Sequence, residues 1–302
     1  MATDGPPLLT DGVVTLHADG ASAGPPGGSS AHAFTVEAGG RSVGTVAVRA
    51  VERSTGELSW AVDEAQRGRG YATRAVRLLV RYAFDDLGLT RLQARVPPDN
   101  HRAMRLAHRS GMRNEGRSRA APGTRERDHV LLARLVDDPE PGDRAGFRAL
   151  LNSFLPRKRV IAQALVRDGA RRVLMCHPTY KDDWDLPGGV VEELESPHTA
   201  VGREITEELA LVLPIGALVL TDWLPPWSGW DDALSLVFEA GVHDVGILQG
   251  MVLQAREIRE ARFLTVDQIR ERSADYTARR VEAALKAVAA DRPAFTESGR
   301  PT

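Results

Sequence analysis

The sequence predicts an α/β protein of two domains, and three observations carry that expectation. Its 302 residues exceed the usual size of one domain. Strand-like and helix-like segments alternate in both halves. Between them runs Asp137-Asp138-Pro139-Glu140-Pro141-Gly142-Asp143, a polar, proline-rich stretch with the composition of a linker. The expected division is a first domain over 1–136, a linker over 137–156 and a second domain over 157–302.

Hydrophobic residues at 42% and charged residues at 26% are enough for two ordinary globular cores. The formal net charge of −2 leaves no basic excess of the kind nucleic-acid binding needs, so nucleic acid is not the expected partner. Cys176 is alone, which excludes an intrachain disulfide and a paired-thiol metal site. The first thirty residues lack a signal-peptide pattern and no apolar run approaches membrane-spanning length, so a cytoplasmic setting without membrane contact is expected.

In the first half, residues 20–30 (GASAGPPGGSS) are low in complexity. A strand-like GELSWAV then leads through Arg67-Gly68-Arg69-Gly70-Tyr71-Ala72 into a helix whose apolar face is Val76, Leu79, Val80, Ala83 and Phe84. Glycine-rich backbone feeding a helix N-terminus presents unpaired N–H groups to an anion, and the helix dipole adds to the attraction. Strand-like Arg91–Val96, the turn Pro98-Asp99-Asn100, helix-like Arg102–Arg109 and strand-like His129–Val136 follow. Glu57, on the strand before the turn, suits either a general base or a salt-bridge partner.

The second domain opens near Arg157, with strand-like Val160–Val166 and Arg172–Met175 around a turn at Asp168-Gly169. The breaker-rich Trp184-Asp185-Leu186-Pro187-Gly188-Gly189 leads to a helix with Ser196 as N-cap and Pro197 at its first position, limited by Pro214. On that helix Glu204, Glu207 and Glu208 share an arc of about 100°, beside an apolar stripe of Val201, Ile205, Leu209 and Val212. Carboxylates so close repel one another, so a cation is expected among them. An all-oxygen set without Cys or His suits Mg²⁺ or Mn²⁺ better than Zn²⁺.

Further along, Trp223, Trp227 and Trp230 suit either packing or stacking on a base, and Lys181 either a substrate phosphate or solvent. The final dozen residues, from Asp291, look weakly structured, with Phe295 as a possible anchor.

The segment from Gly189 to Leu211 resembles the signature of the Nudix hydrolases: Gly189, Glu195, Arg203-Glu204-Ile205, Glu207-Glu208 and Leu211 all match, and Ala210 replaces the usual glycine. The resemblance implies an α/β/α sandwich and Mg²⁺- or Mn²⁺-dependent cleavage of a nucleoside diphosphate linked to another group. It gives Glu204, Glu207 and Glu208 as metal ligands, with Glu204 also a candidate base and the Gly189 carbonyl a further ligand. Arg203 is implied to orient Glu204 while pairing with Glu195, and Glu257 or Glu260 to add a carboxylate from a later loop, Glu257 being the one taken for the site.

Residues 32–136 resemble the GNAT acetyltransferases. That likeness implies a mixed α/β sheet and an acetyl-CoA site formed by Arg67, Gly68, Arg69, Gly70, Tyr71 and Ala72, flanked by Asn100. It departs where Asp19–Ala31 replaces two helices that wall the acceptor site, where Ala103 replaces a serine, and where no tyrosine acid stands near Gly111. Three readings follow: a Nudix hydrolase with an acyl-CoA-binding domain, a bifunctional enzyme that also acetylates an amine, and a non-catalytic sensor of nucleotide and acyl-CoA.

Overall fold

The chain folds, in a computed structural model that describes residues 8–19, 31–121 and 127–302, into two compact units, Met1–Pro156 and Arg157–Thr302. The low-complexity stretch 20–30, on which the expectation about the acceptor wall falls, lies outside the described residues.

The first unit comprises β1 (Leu8–Thr10), β2 (Thr15–Ala18), β3 (Ala31–Ala38), β4 (Arg41–Glu52), β5 (Thr55–Val62), α1 (Tyr71–Asp85), β6 (Arg91–Val96), α2 (His101–Arg109), β7 (Arg113–Ser118), β8 (His129–Leu135) and α3 (Arg144–Phe154). Its sheet runs β1-β2-β3-β4-β5-β6-β8-β7. The crossover through α1 makes β5 and β6 parallel. Their pairing stops at Glu57 and Gln93, although the strands continue to Val62 and Val96, so the sheet splays open at their carboxyl ends. Val76, Leu79, Val80 and Ala83 of α1 are buried against Val46, Val48, Leu58 and Leu92 of the sheet.

The second unit comprises β9 (Arg159–Asp168), β10 (Val173–Pro178), β11 (Gly188–Val190), α4 (Pro197–Leu209), β12 (Leu218–Leu224), β13 (Ala233–His243), β14 (Ile258–Leu264), α5 (Val266–Arg272), α6 (Asp275–Ala289), β15 (Ala294–Glu297) and β16 (Arg300–Pro301). The sheet order is β14-β10-β9-β13-β12-β15-β16, with β11 on β9. Alternation along the strands divides the core into two layers. Ala162, Ala164, Val166, Leu174 and Cys176 meet Val201, Ile205 and Leu209 of α4. Leu165, Val173 and Met175 meet Ile269 of α5 and Ala278, Val281 and Ala284 of α6. The result is an α/β/α sandwich, and truncating Ile205 to Ala would cost about 2–5 kcal/mol.

Two expectations need correction. Val212 is off the helix and 88% exposed, because α4 ends at Leu209 and Ala210 turns left-handed. The final residues are ordered: β15 adds in parallel to β12, and the anchor is the buried Thr296, not the exposed Phe295. Their brevity hides them from periodicity. No helix among the described residues is long and apolar enough to cross a membrane.

Ala210 holds φ 54° and ψ 30°, where glycine is free and an L-residue is strained by about 1–2 kcal/mol. Part of that gain is offset by glycine's larger unfolded-state entropy. Ala210→Gly should therefore raise stability by about 0.5–1 kcal/mol in urea unfolding; a loss would show the turn to be unstrained.

Candidate functional site

In the second unit the signature helix is fixed at both ends before any chemistry is considered. Ser196 Oγ accepts the Thr199 N–H at 3.2 Å, Pro197 occupies the first turn, and the Ala210 N–H closes on Thr206. β11 then delivers two glycines to the helix. A side chain on Gly188 (φ 132°) would lie 2.2 Å from the Ala162 carbonyl oxygen of β9, and one on Gly189 would lie 2.5 Å from the Glu204 carboxyl. Both positions need the missing Cβ to let strand, turn and carboxylate meet.

Arg203 organises the acids. Its Nε and Nη2 fork onto Glu195 at 2.9 and 3.0 Å, while Nη1 reaches Glu204 and Glu207, each at 3.0 Å. Hydrogen bonding to Glu195, with the neighbouring Glu204 and Glu207, drives its pKa further up, so its charge is permanent. Glu195 is thereby held ionised, its pKa lowered chiefly by Arg203. Glu207 is exposed over 56% of its side chain, against 14% for Glu204, and so is free to exchange partners.

Glu208 has no such counter-charge. Its Oε2 accepts the Gly188 N–H at 3.0 Å. Burial raises its pKa to about 8; the Gly188 N–H opposes the rise, and the carboxylates of Glu204, Glu257 and Asp185 add to it. Glu204 is raised too, by burial first, with Arg203 pulling it down and Glu207 and Glu257 pushing it up. Glu257 thus lies in electrostatic reach of both. Its loop is tied in by backbone bonds from Gln254 N to the Glu208 carbonyl (2.9 Å) and from Thr179 N to the Glu257 carbonyl (2.7 Å).

Among the described residues no three Asp, Glu, His or Cys side chains converge closely enough to cage a metal as they stand. The donor set nevertheless fits a hard divalent cation: all-oxygen carboxylates, two of them raised first by burial, with Gly189 packed against Glu204. Arg203 bridges Glu195, Glu204 and Glu207, and Glu208 stands outside that bridge.

Sequence reasoning missed a polar network on the opposite face of the sheet. Asp185 accepts from Lys181 Nζ at 2.7 Å, from Gln163 Nε2 at 2.9 Å and from the Leu186 N–H. Burial opposes its ionisation, but Lys181, Arg280 and Gln163 outweigh that and lower its pKa. Gln163 Oε1 accepts from Ser235 and from Arg280, and Arg280 pairs with the buried Asp222 at 2.9 Å. Lys181 is therefore half-buried and ion-paired with Asp185. The available signal was a single glutamine inside an otherwise apolar strand.

In the first unit the glycine turn and Asn100 follow the carboxyl ends of the two splayed strands. Gly70, at φ 83°, caps α1 without any side chain of its own. The Arg67 side chain folds back onto the Val62 carbonyl and Glu64. Asn100 Oδ1 caps α2 by accepting the Ala103 N–H at 3.1 Å. Glu57 is paired with Arg49 at 2.6 Å and lies 3.6 Å from Arg95, which favours the salt-bridge role over that of a base. From Gly70 a groove of about 770 Å³ runs between Arg74, Arg77 and Arg81 on one side and Arg109, Arg134 and Glu140 on the other. Backbone amides, a left-handed glycine and clustered arginines fit a phosphorylated cofactor such as acetyl-CoA.

These two sites agree with what the chain resembles. Residues 20–113 match the acetyltransferase (GNAT) domain and residues 156–285 match the NUDIX domain. The chain carries a GNAT domain followed by a Nudix domain. "Probable N-acetyltransferase YjcK" of Bacillus subtilis (strain 168) is 39% identical over 106 residues, covering 33% of this chain and 58% of that protein. "Uncharacterized N-acetyltransferase p20" of Bacillus licheniformis is 29% identical over 76 residues, 24% of this chain and 43% of its own length. The chain thus spans about half the length of these curated relatives. Among solved structures, a MutT protein from Methanosarcina mazei Go1 is 19% identical, covering 46% of this chain and 99% of that one at a TM-score of 0.38. A GNAT-family acetyltransferase from Bacillus anthracis is 28% identical, covering 34% and 65% at a TM-score of 0.32.

The Glu208 carboxyl titrates near 4.5 in the unfolded chain and at about 8 in the folded one, so between those values the folded state holds the extra proton. Metal-free protein should therefore lose stability as pH rises through that window, and Glu208→Gln should flatten the slope. Mg²⁺ binding below pH 8 should release a proton detectable by calorimetry in buffers of different ionisation enthalpy. Identical slopes for native protein and Glu208→Gln in urea titrations would sink this assignment.

Proposed function

We propose that the second unit hydrolyses the diphosphate of a nucleoside diphosphate linked to another group, and that the first unit binds acetyl-CoA. The hydrolase reading rests on the acid set that one helix gathers, with Glu204 and Glu207 both held by Arg203 at 3.0 Å and Glu208 on the Gly188 N–H at 3.0 Å, an all-oxygen set that suits a hard divalent cation. A divalent ion on Glu204, Glu207, Glu208, Glu257 and the Gly189 carbonyl would neutralise the diphosphate and acidify the attacking water. Arg203 holds Glu204 by one oxygen, which leaves the other to take the proton of that water. The water oxygen bonds to one phosphorus, the bridging P–O bond breaks, and two phosphate monoesters leave. Glu195 acts only through Arg203.

For the first unit, the splayed strands and the arginine-lined groove support cofactor binding. Transfer of the acetyl group is a separate matter, since Glu57 is already ion-paired. Amines offered with acetyl-CoA would separate a bifunctional enzyme, which turns the cofactor over, from a unit that only binds it. A sensor would bind both ligands and release no phosphate.

With Mg²⁺ or Mn²⁺ the full chain should cleave at least one member of a nucleoside diphosphate panel, and chelation should stop it. Glu204→Gln and Glu208→Gln should each lower kcat by about 100-fold or more. Activity retained in both variants would overturn the assignment. In the first unit, Arg74→Ala and Arg77→Ala should each weaken CoA binding by about tenfold at low salt, with the difference shrinking as salt rises; unchanged calorimetric affinity would place the cofactor elsewhere.

A further inference from the structure

The arginine-lined groove of the first unit holds an ion pair that a diphosphate at its glycine end does not explain. Arg77 donates from Nε and Nη2 to the Arg109 carbonyl at 3.1 and 2.6 Å, and Arg134 Nη1 donates to the Ser110 carbonyl at 3.1 Å. Both guanidinium groups are thereby pinned to the carbonyl end of α2, where positive charge is favoured. Arg134 is 6% exposed, and its buried Nε has no acceptor among the described residues. Its Nη2 meets Glu140 Oε1 at 2.7 Å, while the Glu140 side chain stays 72% exposed. A buried cation is thus answered by a carboxylate that stands mostly in water.

The sequence places the segment that carries this carboxylate. Pro139 and Pro141 flank Glu140, and a residue before proline is biased to extended backbone. Gly111, at φ 86°, makes room for it: a Cβ there would lie 2.7 Å from Pro141 Cγ and 2.9 Å from Arg134 Nη1. A Cβ on Gly146 of α3 would overlap the Glu140 carbonyl oxygen, which also accepts the Asp143 N–H at 2.9 Å. These backbone contacts fix the wall of the groove without the Glu140 carboxylate, which leaves that group free to exchange.

Along α1 the groove runs from Gly70 to Arg81, about 16 Å of helix and longer than a diphosphate spans. Among the described residues that line it, five arginines face the carboxylates of Asp11 and Glu140, an excess of three positive charges. A ligand with a second anionic group, set apart from its diphosphate, matches both the length and the charge. We infer that Glu140 is a displaceable stand-in for a phosphate monoester: the ligand's terminal phosphate takes Arg134, with Nε as an added donor, and the carboxylate turns into solvent. The inference rests on the cofactor-binding reading of this groove and sharpens it, because it requires a phosphate apart from the diphosphate. An exposed carboxylate gains little from its ion pair, whereas a guanidinium grips a phosphate through two parallel bonds, so the exchange favours the ligand.

The test is calorimetry on the full chain at low salt with CoA, with dephospho-CoA, which lacks the phosphate monoester, and with inorganic phosphate. Glu140→Gln keeps the size of an exposed side chain and removes its charge. It should tighten CoA about threefold to tenfold, leave dephospho-CoA unchanged, and lose the gain as salt rises. Adding Arg134→Lys, which keeps the charge but not the fork, should cancel the gain; if that double variant does not fold, the comparison of the two cofactors decides alone. A carboxylate that merely pins the segment predicts the other sign, with CoA binding unchanged or weaker and a lower unfolding midpoint. Unchanged CoA affinity in Glu140→Gln, an equal gain with dephospho-CoA, or a gain confined to inorganic phosphate would overturn the inference while leaving the cofactor reading intact. Absence of CoA binding in both native protein and variant would remove the two together.

Discussion

Three glutamates within two turns of one helix repel one another, and the permanent positive charge of Arg203 stands among two of them and Glu195. Coulomb repulsion grows as the local dielectric falls, so the cost is small for the exposed Glu207 and larger for Glu204 and Glu208. A lysine could not substitute. Only a planar fork can hold both oxygens of Glu195 while a further nitrogen reaches Glu204 and Glu207. The guanidinium therefore fixes the geometry of the acids without satisfying all of them. Glu208 is left with one backbone N–H, and burial first, then the neighbouring carboxylates, push its pKa up. Architecture and chemistry divide along that line.

The first unit solves the opposite electrostatic problem by opposite means. Its groove collects five arginines against the carboxylates of Asp11 and Glu140. Some of that charge is engaged: Arg74 meets Asp11 at 2.9 Å, Arg134 meets Glu140 at 2.7 Å, and Arg77 donates to the Arg109 carbonyl. Such pairs orient guanidinium groups at small net stability. Gly70, without side chain or cap, leaves the first turn of α1 open beside them. The splay between β5 and β6 follows from the same topology, since two parallel strands that lose their ladder beyond Glu57 and Gln93 expose backbone polar groups at their ends.

Much of this was legible in the sequence because it depends on local spacing. Ser196, Pro197 and the offsets among Arg203, Glu204, Glu207 and Glu208 define a helix and its charged face without knowledge of the remaining chain. The apolar face of α1 was equally plain. What spacing could not give were meetings between distant segments. The influence of Glu257 on Glu208 depends on a loop that docks through Gln254, and the partnership of Gln163 with Arg280 joins residues 117 positions apart. The last strands escaped for another reason. β15 and β16 span four and two residues, too short for alternation, and β15 is held by the Thr296 hydroxyl on Asp222. Val212 failed because a stripe drawn by periodicity does not know where a left-handed residue will stop the helix.

The buried network around Asp185 bears on why that face of the sheet is polar at all. Taking charges out of water costs several kcal/mol per ion, and well-packed apolar residues often serve stability as well or better. Stability alone therefore gives little reason to bury Asp222 and Arg280 beside Leu165 and Val237. Position gives a better one. Asp222 binds Arg280, Thr296 and the Gly299 N–H, fixing the last strand to the sheet beside α6. Arg280 in turn reaches Gln163 and approaches Asp185, and Asp185 adjoins the acids of α4 electrostatically. A chain of hydrogen bonds and ion pairs can hold Lys181 where a nonpolar core would leave it free to repack. The polar interior thus makes sense as a positional frame for β15, α6 and the Lys181 loop rather than as a source of folding energy.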